Sequence, residues 1–168
     1  MKVSNVLVAV LFLSFLVGCN VLNEKEVYVG DDLEIGVIGK IPEVRENNIA
    51  FSTVTFSDLE KKSVLQKLDA IFIMEEFLPE ASLEKNVKKY KETEIPYFFI
   101  GTKKSYVPFT NEDIGYDEIP DIEIEYAAGF YSSDKSRMWG FSLNNYEETE
   151  SNIKDIYTEI FEVIVNDI

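Results

Sequence analysis

The chain has 168 residues, with 31 Asp and Glu against 16 Lys and Arg, a formal net charge of −15 and no histidine. Phosphate backbones are bound by cations, so no nucleic-acid partner is expected, and without histidine neither Ser-His-Asp nor Cys-His catalysis nor a His-ligated zinc is available. A hydrophobic fraction of 46%, with twelve Phe and nine Tyr, supplies the core of one compact domain.

Met1-Lys2-Val3-Ser4-Asn5 leads into an apolar run from Val6 to Val17, and Leu16-Val17-Gly18-Cys19 follows directly. The run is about a dozen residues, short of the roughly 20 that a spanning helix needs, so it reads as the h-region of a secretory signal. Leu16-Val17-Gly18-Cys19 resembles the lipobox of bacterial lipoproteins, and the resemblance covers only the signal. It implies a signal peptide over 1–18, cleavage before Cys19, and diacylglycerol on the Cys19 thiol holding the chain on the outer face of the cell membrane. The Ile, Lys, Glu and Asn bias is also similar to small lipoproteins of low-GC Gram-positive bacteria, from which no function transfers. Cys19 is the only cysteine, so the monomer has no disulfide. Cleavage removes Lys2 and no acid, leaving a net charge of about −16 that anionic headgroups repel; the acyl chains are then the membrane contact.

Residues 19–31 show no helical or alternating period and are expected to be a lipidated tether, with a domain over 32–168. Leu33–Gly39 and Ile49–Phe56 read as strands. About eight residues separate them, fewer than a parallel crossover ordinarily takes, so they are expected to be antiparallel or apart. Ser57 with Glu60 has capping-box spacing and predicts a helix to about Leu68. Ala70–Met74 reads as a strand covered on both faces. Ser82 is expected to cap a helix bearing Leu83, Val87 and Tyr90, and Pro96–Gly101 is another buried strand, so this unit predicts a parallel crossover.

Ile122, Ile124, Tyr126, Ala128 and Phe130 alternate with wetter positions, and Trp139, Phe141 and Leu143 alternate in Arg137–Leu143, with 132–136 as the loop of an antiparallel hairpin. Asn145 with Glu148 predicts the cap of a last helix. Its Ile153, Ile156, Tyr157, Ile160, Phe161, Ile164 and Val165 share one face that is expected to close the core. The fold class expected is therefore α/β: one three-layer domain with a mixed, partly parallel sheet, a C-terminal hairpin and a closing helix.

No Walker loop or Gly-x-Gly-x-x-Gly follows a predicted strand, and no cofactor is expected. Ligands of such sheets sit at the carboxyl ends of parallel strands. That edge would carry Glu75 and Glu76, then Gly101, Thr102, Lys103, Lys104 and Ser105, with Gly39 and Lys40 in addition. Glu75, Glu76, Lys103 and Lys104 are the candidate ligand-binding residues, a carboxylate pair beside two ammonium groups suited to a zwitterion. Asn111–Asp113, Asp117, Glu118, Asp121, Glu123 and Glu125 are rich in oxygen but lack the ligand order of an EF-hand, so they read as a solvated loop and no metal is expected. The aromatics between Tyr126 and Phe141 fit core packing before sugar stacking.

The function expected is that of a membrane-anchored surface lipoprotein, a non-enzymatic binding or interaction module for a membrane or cell-wall protein partner. The alternative is a small-ligand binder resembling one lobe of a solute-binding lipoprotein. A third reading is a hydrolase using a carboxylate pair such as Glu75 and Glu76.

Overall fold

The computed structural model describes residues 25–123 and 125–168, so the expected signal peptide and Cys19 lie outside the described residues. Six strands, β1 (Leu33–Ile38), β2 (Ile49–Thr53), β3 (Ala70–Ile73), β4 (Tyr97–Ile100), β5 (Glu125–Tyr131) and β6 (Arg137–Ser142), form one sheet in the order β2-β1-β3-β4-β5-β6. β1 is parallel to β2 and β3, β3 is parallel to β4, and β5 and β6 continue the sheet antiparallel. The helices are α1 (Lys62–Leu65), α2 (Leu78–Ala81), α3 (Glu84–Glu92), α4 (Val107–Thr110) and α5 (Glu150–Asn166). This is the mixed α/β sheet with an antiparallel hairpin and a C-terminal helix that the patterning predicts.

Alternation along the central strands separates two cores. Leu33, Ile35 and Val37 of β1, Ala70 and Phe72 of β3, and Phe98 and Ile100 of β4 face α5, where Ile156, Tyr157, Ile160 and Phe161 are buried. Ile71, Ile73, Tyr97 and Phe99 point the other way, onto Leu78, Val87, Tyr90 and Phe109 from α2, α3 and α4. Successive side chains of a strand leave on opposite faces, so a continuous apolar run is what a sheet covered on both sides demands.

The parallel pairing of β1 with β2 corrects the expectation that they would be antiparallel or apart. Ten residues, 39–48, are ample to return along a five-residue strand if they run extended, without a helix. This crossover is held on the α5 face: Val44 packs into that core, Arg45 pairs with Asp155 at 2.7 Å, and Thr158 donates to Glu46 at 2.5 Å. Side-chain anchoring takes the place of the usual helix.

Three caps also differ. Ser57 makes no cap bond; the Asp58 carboxylate instead accepts from the amide and hydroxyl of Thr55 at 2.8 and 2.7 Å, and only a turn and the short α1 follow. Ser82 donates to Pro79 O and accepts from the Tyr116 amide, while Leu83 stands at the start of α3 and is exposed. Thr149, not Asn145, caps α5 by accepting from the Asn152 amide, and Val165 lies outside the buried face. Ser82 found competing partners in Pro79 O and the Tyr116 amide, and neighbouring Asp58 and Thr149 make the local bonds expected of Ser57 and Asn145, which sequence spacing does not register.

A bulge between Glu125 and Ala127 shifts the register of β5 against β6. The extra residue turns Tyr126 away from the face of Ala128 and Phe130, with which it was expected, and onto the α5 face. Residues 25–31 have no regular secondary structure, yet they are not free. Tyr28 is 7% exposed and packs on Phe161 with ring centroids 6.1 Å apart, and the Lys25 ammonium pairs with Glu159 and Glu162. This part of the expected tether belongs to the folded unit.

Candidate functional site: a cleft at the carboxyl edge of the parallel strands

The chain leaves β1 over the α5 face, through Val44, Arg45 and Glu46, and leaves β3 over the opposite face, through Leu78 and Ala81. Adjacent parallel strands whose connections depart to opposite faces open a crevice beyond their carboxyl ends, because no connection covers the space between them. A cleft of about 540 Å³ occupies that place. Its lining comes from the turn after β1 (Lys40, Ile41, Pro42, Glu43), from the end of β3 (Met74, Glu75, Glu76), from Ile100 and Gly101 of β4, from Tyr126, and from Glu150, Ile153, Lys154 and Tyr157 of α5. A larger hollow of about 640 Å³ lies near α1 and the segment that enters β4, lined by Leu59, Glu60, Gln66, Glu92 and Ile95 among others. It lies at the amino ends of β3 and β4, away from the carboxyl ends, so the smaller cleft is the candidate site.

Two glycines shape the rim. Gly39 has φ +122 and Gly101 φ +77, in the left-handed half of backbone space that glycine enters without penalty. A Cβ on Gly39 would lie 2.7 Å from both Glu76 Oε1 and Met74 Cβ, and one on Gly101 would lie 2.8 Å from Glu75 Cβ. Their bare backbones let the two carboxylates stand against the ends of β1 and β4. Glu76 Oε1 accepts the Lys40 amide at 3.0 Å, which ties the end of β3 to the end of β1.

The floor is apolar and aromatic: Met74, Ile100, Ile153 and the rings of Tyr126 and Tyr157. Burial pushes the Tyr126 phenol up to about 12, with the carboxylates of Glu148 and Glu75 adding to the effect. Tyr157 is raised as well, by burial first and then by Tyr126. Both phenols therefore stay neutral hydrogen-bonding groups at physiological pH. On the rim, Lys154 is engaged by Glu150 one helical turn away.

Of the four residues singled out from sequence, Glu75 and Glu76 line this cleft, whereas Lys103 and Lys104 do not. Lys104 is buried at the loop before β5, where its ammonium donates to Ile119 O at 2.6 Å and Asp121 at 2.7 Å and sits 4.9 Å over the Tyr116 ring. That hydrogen bond holds the Asp121 carboxyl below its ordinary value. The Lys103 charge acts on Asp121 as well, and its carbonyl accepts the Ile122 amide. Here the two lysines staple a loop; the cations of the cleft are Lys40 and Lys154. Lys40 was legible as the residue after the β1 glycine. Lys154 and Tyr157 carried no local signal, since only tertiary packing brings α5 to the strand ends.

The acidic segment is spread out. Glu112 pairs with Lys91 and Asp121 with Lys104, and among the described residues no three His, Cys, Asp or Glu side chains gather as ligands for a metal ion. Also among the described residues, no helix is long and apolar enough to cross a membrane. No family model, no curated protein and no solved structure matches this chain.

Proposed function

We propose that this chain is a lipid-anchored binding module, displayed on the outer face of the cell membrane by diacylglycerol on Cys19, with the cleft at the ends of β1, β3 and β4 as its binding surface. The anchor rests on Leu16-Val17-Gly18-Cys19 behind a short apolar run. The binding role is carried by one observation, the cleft at the crevice between oppositely departing crossovers, of a size that small-molecule sites commonly have.

Between a protein or wall partner and a small ligand, a concave cleft with an aromatic floor favours the small ligand. A carboxylate hydrolase has less support. Glu75 and Glu76 are both exposed, and Glu76 is committed to a backbone amide, whereas acid/base work calls for one carboxyl in an apolar pocket beside another in a polar one. Display is tested by treating intact cells with a protease that cannot enter them, using a tag after Ile168. The tag is expected to be lost from the wild type, while the Cys19→Ser chain is released to the medium or stays unprocessed. A tag protected in intact wild-type cells overturns the reading.

A further inference from the structure

We infer that the cleft binds a zwitterion on an apolar body, an amino acid or a short peptide with free termini, its ammonium on Glu75 and Glu76 and its carboxylate on Lys40. The inference rests on the binding role proposed above and adds the chemical class of the ligand.

The charges in the cleft are unequally occupied. Glu150 and Lys154 neutralise each other, and Glu76 gives one carboxylate oxygen to the Lys40 amide. The carboxylate of Glu75 and the ammonium of Lys40 form no ion pair or hydrogen bond among the described residues, although both line the same cleft. They stand on different strands. Glu75 follows β3 beside Gly101, and Lys40 follows β1 beyond Gly39, so the two charges leave from the ends of different strands.

Ligand classes separate on this arrangement. A phosphate or a simple anion would face Glu43, Glu75, Glu76 and Glu150 with only Lys40 unengaged. A divalent cation would want several carboxylates converging, and among the described residues no such group forms. A simple amine would leave Lys40 without a counter-charge. A molecule carrying both charges satisfies both sides, and its body meets Met74, Ile100, Ile153 and the Tyr126 ring on the floor. The volume of about 540 Å³ holds more than one amino acid, which extends the class to short peptides.

The test is calorimetric titration of the purified full-length lipoprotein, in detergent, with the twenty free amino acids and the tripeptides Ala-Ala-Ala and Leu-Leu-Leu. Each is paired with its N-acetylated and C-amidated forms. At least one unblocked probe is expected to bind, with either blocked form about tenfold weaker or worse, the loss that follows from removing one charge-assisted hydrogen bond. Glu75→Gln and Lys40→Gln, both at exposed positions, should each weaken binding by about tenfold with unchanged melting. Equal binding of the blocked forms overturns the ligand class while leaving the cleft a binding site. No heat from any probe, or binding indifferent to both substitutions, overturns the inference, and the protease assay on intact cells reads display independently of either result.

Discussion

The tyrosines give the most direct readout of single side chains. Burial raises the phenols of Tyr90, Tyr97, Tyr126 and Tyr157, with Tyr97 and Tyr126 pushed up to about 12. A folded value above the ordinary 10 contributes stability that is complete below pH 10 and is lost as pH rises toward 12, because the unfolded chain gives up its protons first. Unfolding by circular dichroism should therefore accompany the tyrosinate absorbance of these groups between those limits. Ionisation near pH 10 with the fold intact would contradict their burial. Arg45 is the second case. Its guanidinium reaches Asp155 at 2.7 Å and the Thr158 hydroxyl at 3.0 Å, and Asp155 is 3% exposed. Arg45→Ala strands a buried carboxylate, and denaturant titration should register a loss of about 3 kcal/mol, the low end of what breaking such a pair costs, because the Lys25 amide still donates to Asp155. Replacing both partners with apolar residues should cost less than the single change; a larger cost would show that the pair itself supplies the stability.

At the scale of elements, α5 closes the core on one face of the sheet. Phe161 is fully buried and stacks on Phe72 of β3 with centroids 6.2 Å apart, while Tyr28 covers its other side. Phe161→Ala should cost about 3 to 5 kcal/mol in denaturant titration, and an unchanged midpoint would mean the helix is not part of the core. The strap from Lys25 makes a related prediction. A fragment from Asp32 keeps all six strands and α5 but loses Tyr28, so it should melt cooperatively and be less stable than one from Lys25 by about 3 kcal/mol. Equal stability of the two fragments would return residues 25–31 to the role of a free tether. The strands, the hairpin and the α5 face were legible because periodicity reports burial directly. The β1–β2 pairing was not, because its crossover is held by contacts with α5 more than a hundred residues away. The bulge that turns Tyr126 into the cleft was hidden for a related reason: an extra residue in β5 has no sequence mark where Ile122, Tyr126 and Phe130 keep an unbroken alternation. Of the candidate site, Lys40, Glu75, Glu76 and Gly101 followed from their places after predicted strands; Lys154 and Tyr157 arrive only when the helix docks.

For the whole molecule, the charge and the proposed anchor act together. Under the proposed processing, a domain with a net charge of about −16 would gain nothing from anionic headgroups, and its residence at the membrane would fall to the acyl chains, each buried methylene contributing about 0.8 kcal/mol. Six peptide units from Cys19 to Lys25 span at most about 21 Å, and Lys25 is fastened along α5, its amide on Asp155 and its ammonium beside Glu159 and Glu162. The measurement that bears most directly on a lipid-anchored module is the intact mass, with amino-terminal peptide mapping, of the protein extracted from membranes of its own host. The predicted result is a chain that begins at Cys19 and carries a thioether-linked diacylglycerol, absent from the Cys19→Ser variant. A chain beginning at Met1, or an unmodified Cys19, would contradict it.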